Sequence, residues 1–414
     1  KKHRIVKERE QEENKMLQGK TVLLGVTGGI AAYKMPNVAR MLKKMHCNVH
    51  VLMTQNATNF ITATTFETLT GNKCLIDTFD RNFEFSVEHV ALAKQADLVL
   101  LAPATANVIG KIANGIADDM LTTTVMACTC KVLVAPAMNH NMYHNSIVQE
   151  NLEKLKRHGY EMIDPVCGML ANGDTGDGKL PSEETLVEYV LRELAFEKDM
   201  QGLKVLVTAG PTQEAIDPVR FISNHSTGKM GYAIAKNAML RGAEVTLVTG
   251  RTALEPPMFV KTVPVTSAKD MYQAVMECAK EQDIIVKAAA VADYTPAHTA
   301  DEKIKKSEGE LSLALEKTTD ILAELGKNKG NTVLCGFSME TEHMLENSRA
   351  KRKKKNLDMI AANNLKQQGA GFAGDTNVLT LITEDWEKEL ALMSKDEAAK
   401  CLLDELLKIK KNKK

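Results

Sequence analysis

At 414 residues the chain spans two to three ordinary domain lengths of roughly 150 residues each. Fifty-three basic against fifty-three acidic residues leave no net charge, which argues against a dedicated nucleic-acid binder and its basic excess. With 44% apolar and 26% charged residues the chain can bury real cores, while 4% aromatics are few for an all-β sandwich or a stacking surface. The eight cysteines (Cys47, Cys74, Cys128, Cys130, Cys167, Cys278, Cys335 and Cys401) are scattered, unlike a disulfide framework or a paired CxxC zinc site. No apolar run approaches the ~18 residues of a membrane helix, and residues 1–15 are dense in charge without the apolar centre of a secretion signal. A cytoplasmic chain with neither membrane nor nucleic-acid partners is therefore expected.

Residues 1–18 read as a charged extension. At position 21 the pattern changes to TVLLGVTGG, an apolar run ending in glycines, as a buried parallel strand entering a loop should. A helix is predicted over 31–45, then a strand at NVHVLMT (48–54), with further strands at LVLLA (98–102) and KVLVA (131–135). Strand–helix alternation of this kind predicts a doubly wound α/β sheet that binds ligands at the carboxyl ends of its strands. A charged, helical connector is expected across 182–201. The alternation then restarts with LKVLVTAG (203–210), a helix over 229–241, AEVTLVTG (243–250), DIIVKAAA (283–290), TVLCGF (332–337) and LDMIAAN (357–363). VLTLIT (378–383) is expected to close the second sheet. The organisation is thus an extension (1–18), one α/β domain (19–185), a linker (186–201) and a second α/β domain (202–410).

Thr27, Gly28 and Gly29, ahead of a helix, form a phosphate cradle in principle, because backbone amides and the helix N-terminus face an anion there. The stretch is not GxGxxG, and Met53–Thr54 stands where a dinucleotide fold needs an acid, so a nicotinamide oxidoreductase is disfavoured. Three further features accompany it. PATAN (103–107) and APAMN (135–139) each follow a predicted strand, and His89 precedes the strand that carries PATAN.

Together these features resemble the phosphopantothenoylcysteine decarboxylase family, homo-oligomeric flavodoxin-like FMN proteins, over nearly all of residues 20–182. The chemistry suits the residue types. Loss of CO2 from an acylated cysteine needs an electron sink, which prior oxidation of the thiol carbon to a thioaldehyde provides. The resemblance implies that His89 is the acid/base and that Asn139 holds the substrate carboxylate. It also implies that Gly28, Gly29, Thr54, Thr105, Ala106 and Asn107 line the FMN. One position departs from the family: its flap cysteine, which protonates the enethiolate, is Asn172 here. An amide does not give up a proton as a thiol does, so this departure bears on the final reduction. Cys167 lies five residues upstream. His140 and His144, four apart, imitate a metal pair but lack a third ligand or an HExxH frame, and read as polar loop or helix residues.

The second half carries TAGPTQEAIDPVRFISNHSTGKMG (208–231). STGKMG is not a Walker A loop, because position 223 is Ser and Met follows the Gly-Lys pair. With KAAAVADYTP (287–296), EKIKK (302–306), GFSMET (336–341) and KRKKKNLDMIAAN (351–363), it resembles phosphopantothenoylcysteine synthetase over roughly 200–405. That CTP-dependent ligase is fused downstream of the decarboxylase in most bacteria, so the chain resembles the bifunctional family of bacterial coenzyme A biosynthesis, with a Rossmann-like second domain. The resemblance makes Lys303 the cation of carboxylate activation, and assigns Asn224 and Arg220 to cysteine attack. Ala288, Ala289, Asp293, Phe337, Lys351 and Lys355 then contact CTP. Lys305 and Lys306 compete with Lys303 on sequence, although the ten-residue step from Asp293 favours Lys303. KTTD (317–320) has Thr where the family has proline. The implied substrates are 4'-phosphopantothenate, L-cysteine and CTP. The implied cofactors are FMN and Mg2+ (or Mn2+), with no metal ligands named. The implied assembly is a homododecamer of decarboxylase trimers and ligase dimers. A different class is a non-catalytic flavin-domain regulatory protein, to which Asn172 gives some support.

Overall fold

The computed structural model describes residues 15–78, 88–169, 175–305, 312–340, 343–364 and 374–413. The chain divides into two compact units, Lys1–Phe196 and Glu197–Lys414.

In the first unit the apolar runs form β1 (Thr21–Val26), β2 (Asn48–Met53), β3 (Leu98–Ala104), β4 (Lys131–Pro136) and the short β5 (Glu161–Met162). They pair in the order β2-β1-β3-β4-β5, all parallel. Every residue of β3 is buried, as expected of a strand covered on both faces. The helix predicted over 31–45 is a 3-10 turn (Ile30–Lys34) followed by α1 (Met35–Lys44), whose Pro36 sits in the first turn where it displaces no hydrogen bond. The other helices are α2 (Ala63–Thr70), α3 (Glu88–Gln95), α4 (Ala106–Ala113), α5 (Met120–Ala127), the one-turn α6 (His140–Tyr143) and α7 (Ser146–Arg157). Asp119 and Thr122 begin α5 with a reciprocal capping box. A hairpin of β6 (Val166–Met169) and β7 (Thr175–Lys179) follows the sheet.

Residues 186–194, expected within a linker, continue α8 (Glu183–Leu194). Its buried Leu186, Val187, Val190 and Leu191 pack on α1 and β3. At about 1.5–3 kcal/mol for each large apolar side chain taken from water, that face ties the helix to the first unit.

In the second unit β8 (Lys204–Ala209), β9 (Glu244–Thr249), β10 (Lys261–Pro264), β11 (Ile284–Lys287), β12 (Val333–Glu340), β13 (Met359–Asn364), β14 (Leu379–Ile382) and β15 (Glu387–Glu389) form an eight-stranded sheet. Its order is β10-β9-β8-β11-β12-β13-β14-β15, with the last two strands antiparallel. The sheet therefore runs one strand beyond VLTLIT. β15 is too short and too charged (Glu387, Lys388, Glu389, all exposed) to stand out in sequence, yet charge suits an edge. Flanking helices include α9 (Lys229–Leu240), α10 (Ala268–Cys278), α11 (Ile321–Lys327), α12 (Met344–Lys354) and α13 (Lys395–Asn412). In each sheet the order reverses beside its first strand, at β1/β3 and at β8/β11, which opens a crevice at the carboxyl ends.

Candidate functional site

The crevice of the first unit is built on Thr27. Its buried hydroxyl donates to the Pro103 carbonyl at 2.7 Å and accepts from the Thr105 amide at 3.0 Å, tying the loop after β1 to the turn after β3. The Ala102–Pro103 bond is cis. A Cβ on Gly28 would lie 2.5 Å from the Cβ of Asn56 and 3.0 Å from its backbone, so only glycine lets the two loops cross this closely. A cavity of about 640 Å3 opens at this edge. Gly28, Gly29, Thr105 and Ala106 line one side, and Met138, Asn139 and Gly178 the other. Asn139 caps α6 by accepting from the Asn141 amide at 2.9 Å, which fixes its carbonyl oxygen and leaves the side-chain NH2 to donate. Two cations, Lys34 and Lys179, also line the cavity.

The structure thus brings Gly28, Gly29, Thr105, Ala106 and Asn139 together. Thr54, Asn107 and His89 do not line the cavity within one chain. Thr54 ends β2 with its hydroxyl buried and unpartnered among the described residues. Asn107 is exposed on α4, and His89 lies half-buried in the first turn of α3. Asn172 lies outside the described residues. Cys167 is exposed on β6. Sequence reasoning quoted Thr27 without giving it a role, and it missed Lys34, whose only signal is its place one turn beyond the glycines.

The second crevice is cationic. β11 ends in Lys287, whose buried amine is pushed down to about 7 by loss of hydration, with Lys355 and Lys351 adding to the effect and Asp320 opposing it. The loop beyond it is pinned by threonines. The Ala289 amide donates to the Thr208 hydroxyl at 3.1 Å, the Ala292 amide to that of Thr212 at 3.0 Å, and the Thr318 hydroxyl to the Ala292 carbonyl at 2.6 Å. These bonds shape a pocket of about 360 Å3 that includes Ala289, Asp293, Phe337, Lys351 and Lys355 in its wall. Lys355 pairs with Asp320 at 2.8 Å, and Lys351 donates to the Phe337 carbonyl at 3.4 Å. Asp320 also caps α11 through the Ala323 amide at 3.1 Å. Burial raises its carboxyl, but Lys355, that amide and Lys351 outweigh it and hold the group below the usual range. Lys287, Lys317, Lys351 and Lys355 face two aspartates, Asp293 and Asp320, a balance that suits a polyphosphate.

Ala288, between Lys287 and Ala289 in the chain, is not itself among the residues that line the pocket. Lys303, Arg220 and Asn224 are exposed and lie outside the pocket lining. Hydrogen bonds nevertheless fix two of them, Asn224 and Arg220, to neighbouring loops. Asn224 donates to the Ala290 carbonyl at 3.1 Å. Arg220 donates to the Ile304 carbonyl at 2.9 Å and, through Nε and Nη2, to one carboxylate oxygen of Asp217, which also accepts from the Ile304 amide at 3.2 Å. The Arg220 guanidinium, aided by the Val219, Arg220 and Ile304 amides, holds the buried Asp217 carboxyl far below the usual range despite its burial. That network anchors the neighbour of Lys303. Lys305 is exposed, and Lys306 lies outside the described residues. Sequence reasoning missed Lys287, Asp217 and Asp320, although all three stand inside motifs it had singled out.

Residues 10–195 match the Flavoprotein family, and residues 200–409 match the DNA/pantothenate metabolism flavoprotein C-terminal domain. The chain is 45% identical over 400 residues to the coenzyme A biosynthesis bifunctional protein CoaBC of Bacillus subtilis (strain 168), covering 96% of this chain and 98% of that one. It is 42% identical over 392 residues to the protein of the same name from Haemophilus influenzae, covering 94% and 98%. Among solved structures, the C-terminal domain of a coenzyme A biosynthesis bifunctional protein is 41% identical, covers 52% of this chain and 100% of its own, and has a TM-score of 0.46. No described helix is long and apolar enough to cross a membrane.

Proposed function

The chain belongs to the family of coenzyme A biosynthesis bifunctional proteins, and on that premise we propose a division of labour between its two units. The first unit is the FMN-dependent phosphopantothenoylcysteine decarboxylase, and the second is the CTP-dependent phosphopantothenate–cysteine ligase. The observation that carries the reading is the pairing of full-length likeness with two unlike crevices, one apolar and glycine-cradled, the other lysine-lined.

In the ligase unit a carboxylate oxygen of 4'-phosphopantothenate attacks the α-phosphorus of CTP and pyrophosphate leaves; the amine of L-cysteine then displaces CMP at the acyl carbon. Lys351, Lys355 and Lys303 neutralise the phosphoryl charge, while the backbone of Ala288, Ala289 and Phe337 holds the nucleotide. Asp293 is an exposed carboxylate of the pocket suited to Mg2+ or Mn2+, hard ions that prefer oxygen donors. Arg220 and Asn224, fixed by bonds to Ile304 and Ala290, position the acyl group for attack by the amine.

The residues of the first unit fit FMN. The loop crossing at Gly28 gives close backbone approach, and Lys34 and Lys179 supply charge for the phosphate. When bound, FMN supplies the two-electron acceptor that lets the thiol carbon be oxidised before CO2 departs. Asn139 donates to the departing carboxylate, and His89 takes and returns the proton at sulfur. Because His89 lies off the cavity of its own chain, it serves the cavity of a second copy, as a trimer with FMN near a subunit boundary requires. Exposed Ile30, Tyr33 and Met142 at the cavity support that contact, and exposed Val219 and Phe221 beside Arg220 support ligase dimers, together giving the dodecamer. Eight free cysteines suit the reducing cytoplasm. A non-catalytic regulatory role is not favoured beside full-length likeness to bifunctional proteins.

The test supplies 4'-phosphopantothenate, CTP and cysteine. Pyrophosphate release followed by a product lighter by CO2 is expected; absence of either refutes the corresponding half. The same mass spectrum reads the consequence of Asn172. Saturated 4'-phosphopantetheine means that the reduction is completed, and a product two hydrogens lighter means that turnover stops at the unsaturated thiol.

A further inference from the structure

In sequence, His140 and His144 form a pair without a third ligand; the fold brings one from another element. β7 runs beside α6, and Asp177 on β7 reaches both rings. Its carboxylate lies 3.0 Å from His144 Nε2, and its backbone amide donates to His140 Nδ1 at 3.2 Å. The imidazoles meet edge to face with centroids 4.5 Å apart, and one ligand atom from each of the three residues lies within 4.8 Å of the others. The strand can come this near only because position 176 is glycine. A Cβ there would stand 2.7 Å from His140 Nδ1 and 2.9 Å from its Cγ.

We propose that His140, His144 and Asp177 form a divalent transition-metal site that clamps β7 to α6. Two imidazole nitrogens and one carboxylate oxygen, with water as a fourth ligand, are a donor set for Zn2+ and its neighbours rather than for Mg2+. A tetrahedral zinc with bonds of about 2.0–2.2 Å holds its ligand atoms about 3.3–3.6 Å apart, so the widest separation in the cluster needs to close by roughly an ångström while His144 and Asp177, now at 3.0 Å, open slightly. His144 and Asp177 are partly exposed at their tips and free to make that movement by side-chain rotation. The lone pair that His140 turns toward the Asp177 amide is the one the metal takes. The clamp acts beside the cavity. Asn139 adjoins His140, and the Gly178 carbonyl, next to Asp177, accepts from the Met138 amide at 3.0 Å. Metal therefore stiffens the β7 wall of the cavity.

The test titrates the full-length, flavin-loaded chain with Zn2+ in excess Mg2+, by equilibrium dialysis, beside His144→Asn and Asp177→Asn. The wild-type chain should bind one zinc more than either variant, with affinity at that site falling at least about tenfold on substitution. Amide exchange in β7 should slow on adding zinc to the wild-type chain and stay unchanged in the variants. Two variants and the flavin colour guard against a folding defect in one of them. Equal zinc stoichiometry and affinity in all three chains, or no zinc bound by the wild-type chain, would mean an ordinary surface hydrogen-bonded cluster and would overturn the site. Zinc bound without slower exchange in β7 would overturn the clamp.

Discussion

The two units use one topology to build opposite environments. At β1/β3 the crevice is shaped by backbone, with Gly28 crossing against Asn56, a threonine pinning two loops, and apolar walls. At β8/β11 the loop is again pinned by threonines, but the pocket beside it presents four lysines against two aspartates. The contrast teaches that a doubly wound sheet fixes where a ligand binds and leaves its chemistry to the loop residues. A flat ring with one phosphate needs shape, whereas a triphosphate needs charge. The residues proposed for catalysis also differ in their support. The chain beside Lys303 is held by its own unit, where Ile304 bonds to Asp217 and Arg220, while His89 lies away from the cavity that one chain encloses.

If the contrast is right, substitutions should separate the activities, and a shared loss would break it. The largest effect is expected from Lys355→Met, which removes the partner of Asp320 and one of the converging charges. Pyrophosphate release should fall about 100- to 1,000-fold, with decarboxylation and flavin colour unchanged. Next is Lys287→Met, read by melting of the second unit without nucleotide. The folded amine titrates at about 7 against an ordinary 10.5, so the unfolded chain binds the extra proton between those values. Wild-type stability should therefore rise with pH across that window. The stabilisation of the methionine variant over wild type, a few kcal/mol at most, should be full below about pH 7 and gone by about pH 10.5. A gap that does not change with pH would show that Lys287 keeps an ordinary charge.

Gly28→Ala sharpens the other side. Its new Cβ meets Asn56 at 2.5 Å, and overpacking of about 1–3 kcal/mol should weaken flavin retention about five- to 100-fold while the ligase is untouched. The flavin absorbance per chain reads this directly. The smallest effect is expected from Thr27→Val, which keeps the shape but strips the Pro103 carbonyl and the Thr105 amide of their partner. A loss of about 1–2 kcal/mol should lower the melting temperature of the first unit by a few degrees. An unchanged melt would mean that water replaces the hydroxyl.

Sheet strands of β1, β3, β8 and β11 are legible in sequence because strands buried on both faces are continuous apolar runs, and the glycines and threonines that end them mark the ligand edge. β15 is not, since a three-residue charged edge has no periodicity to read. Nor is the attachment of α8: a charged amphipathic segment looks alike in a linker and on a domain, and only its buried leucines and valines decide. Lys287 reads as one more lysine until burial sets its proton affinity. Asp177 reads as a loop acid until β7 brings it to His140 and His144, from 33 to 37 residues away in the chain. Residue types and their local order thus determined the fold class, the family resemblance and the edge at which each ligand binds. Which side chains share a pocket, which lose water and which meet a distant partner was decided by packing, because hydration and charge–charge distance do not exist until the chain has closed on itself.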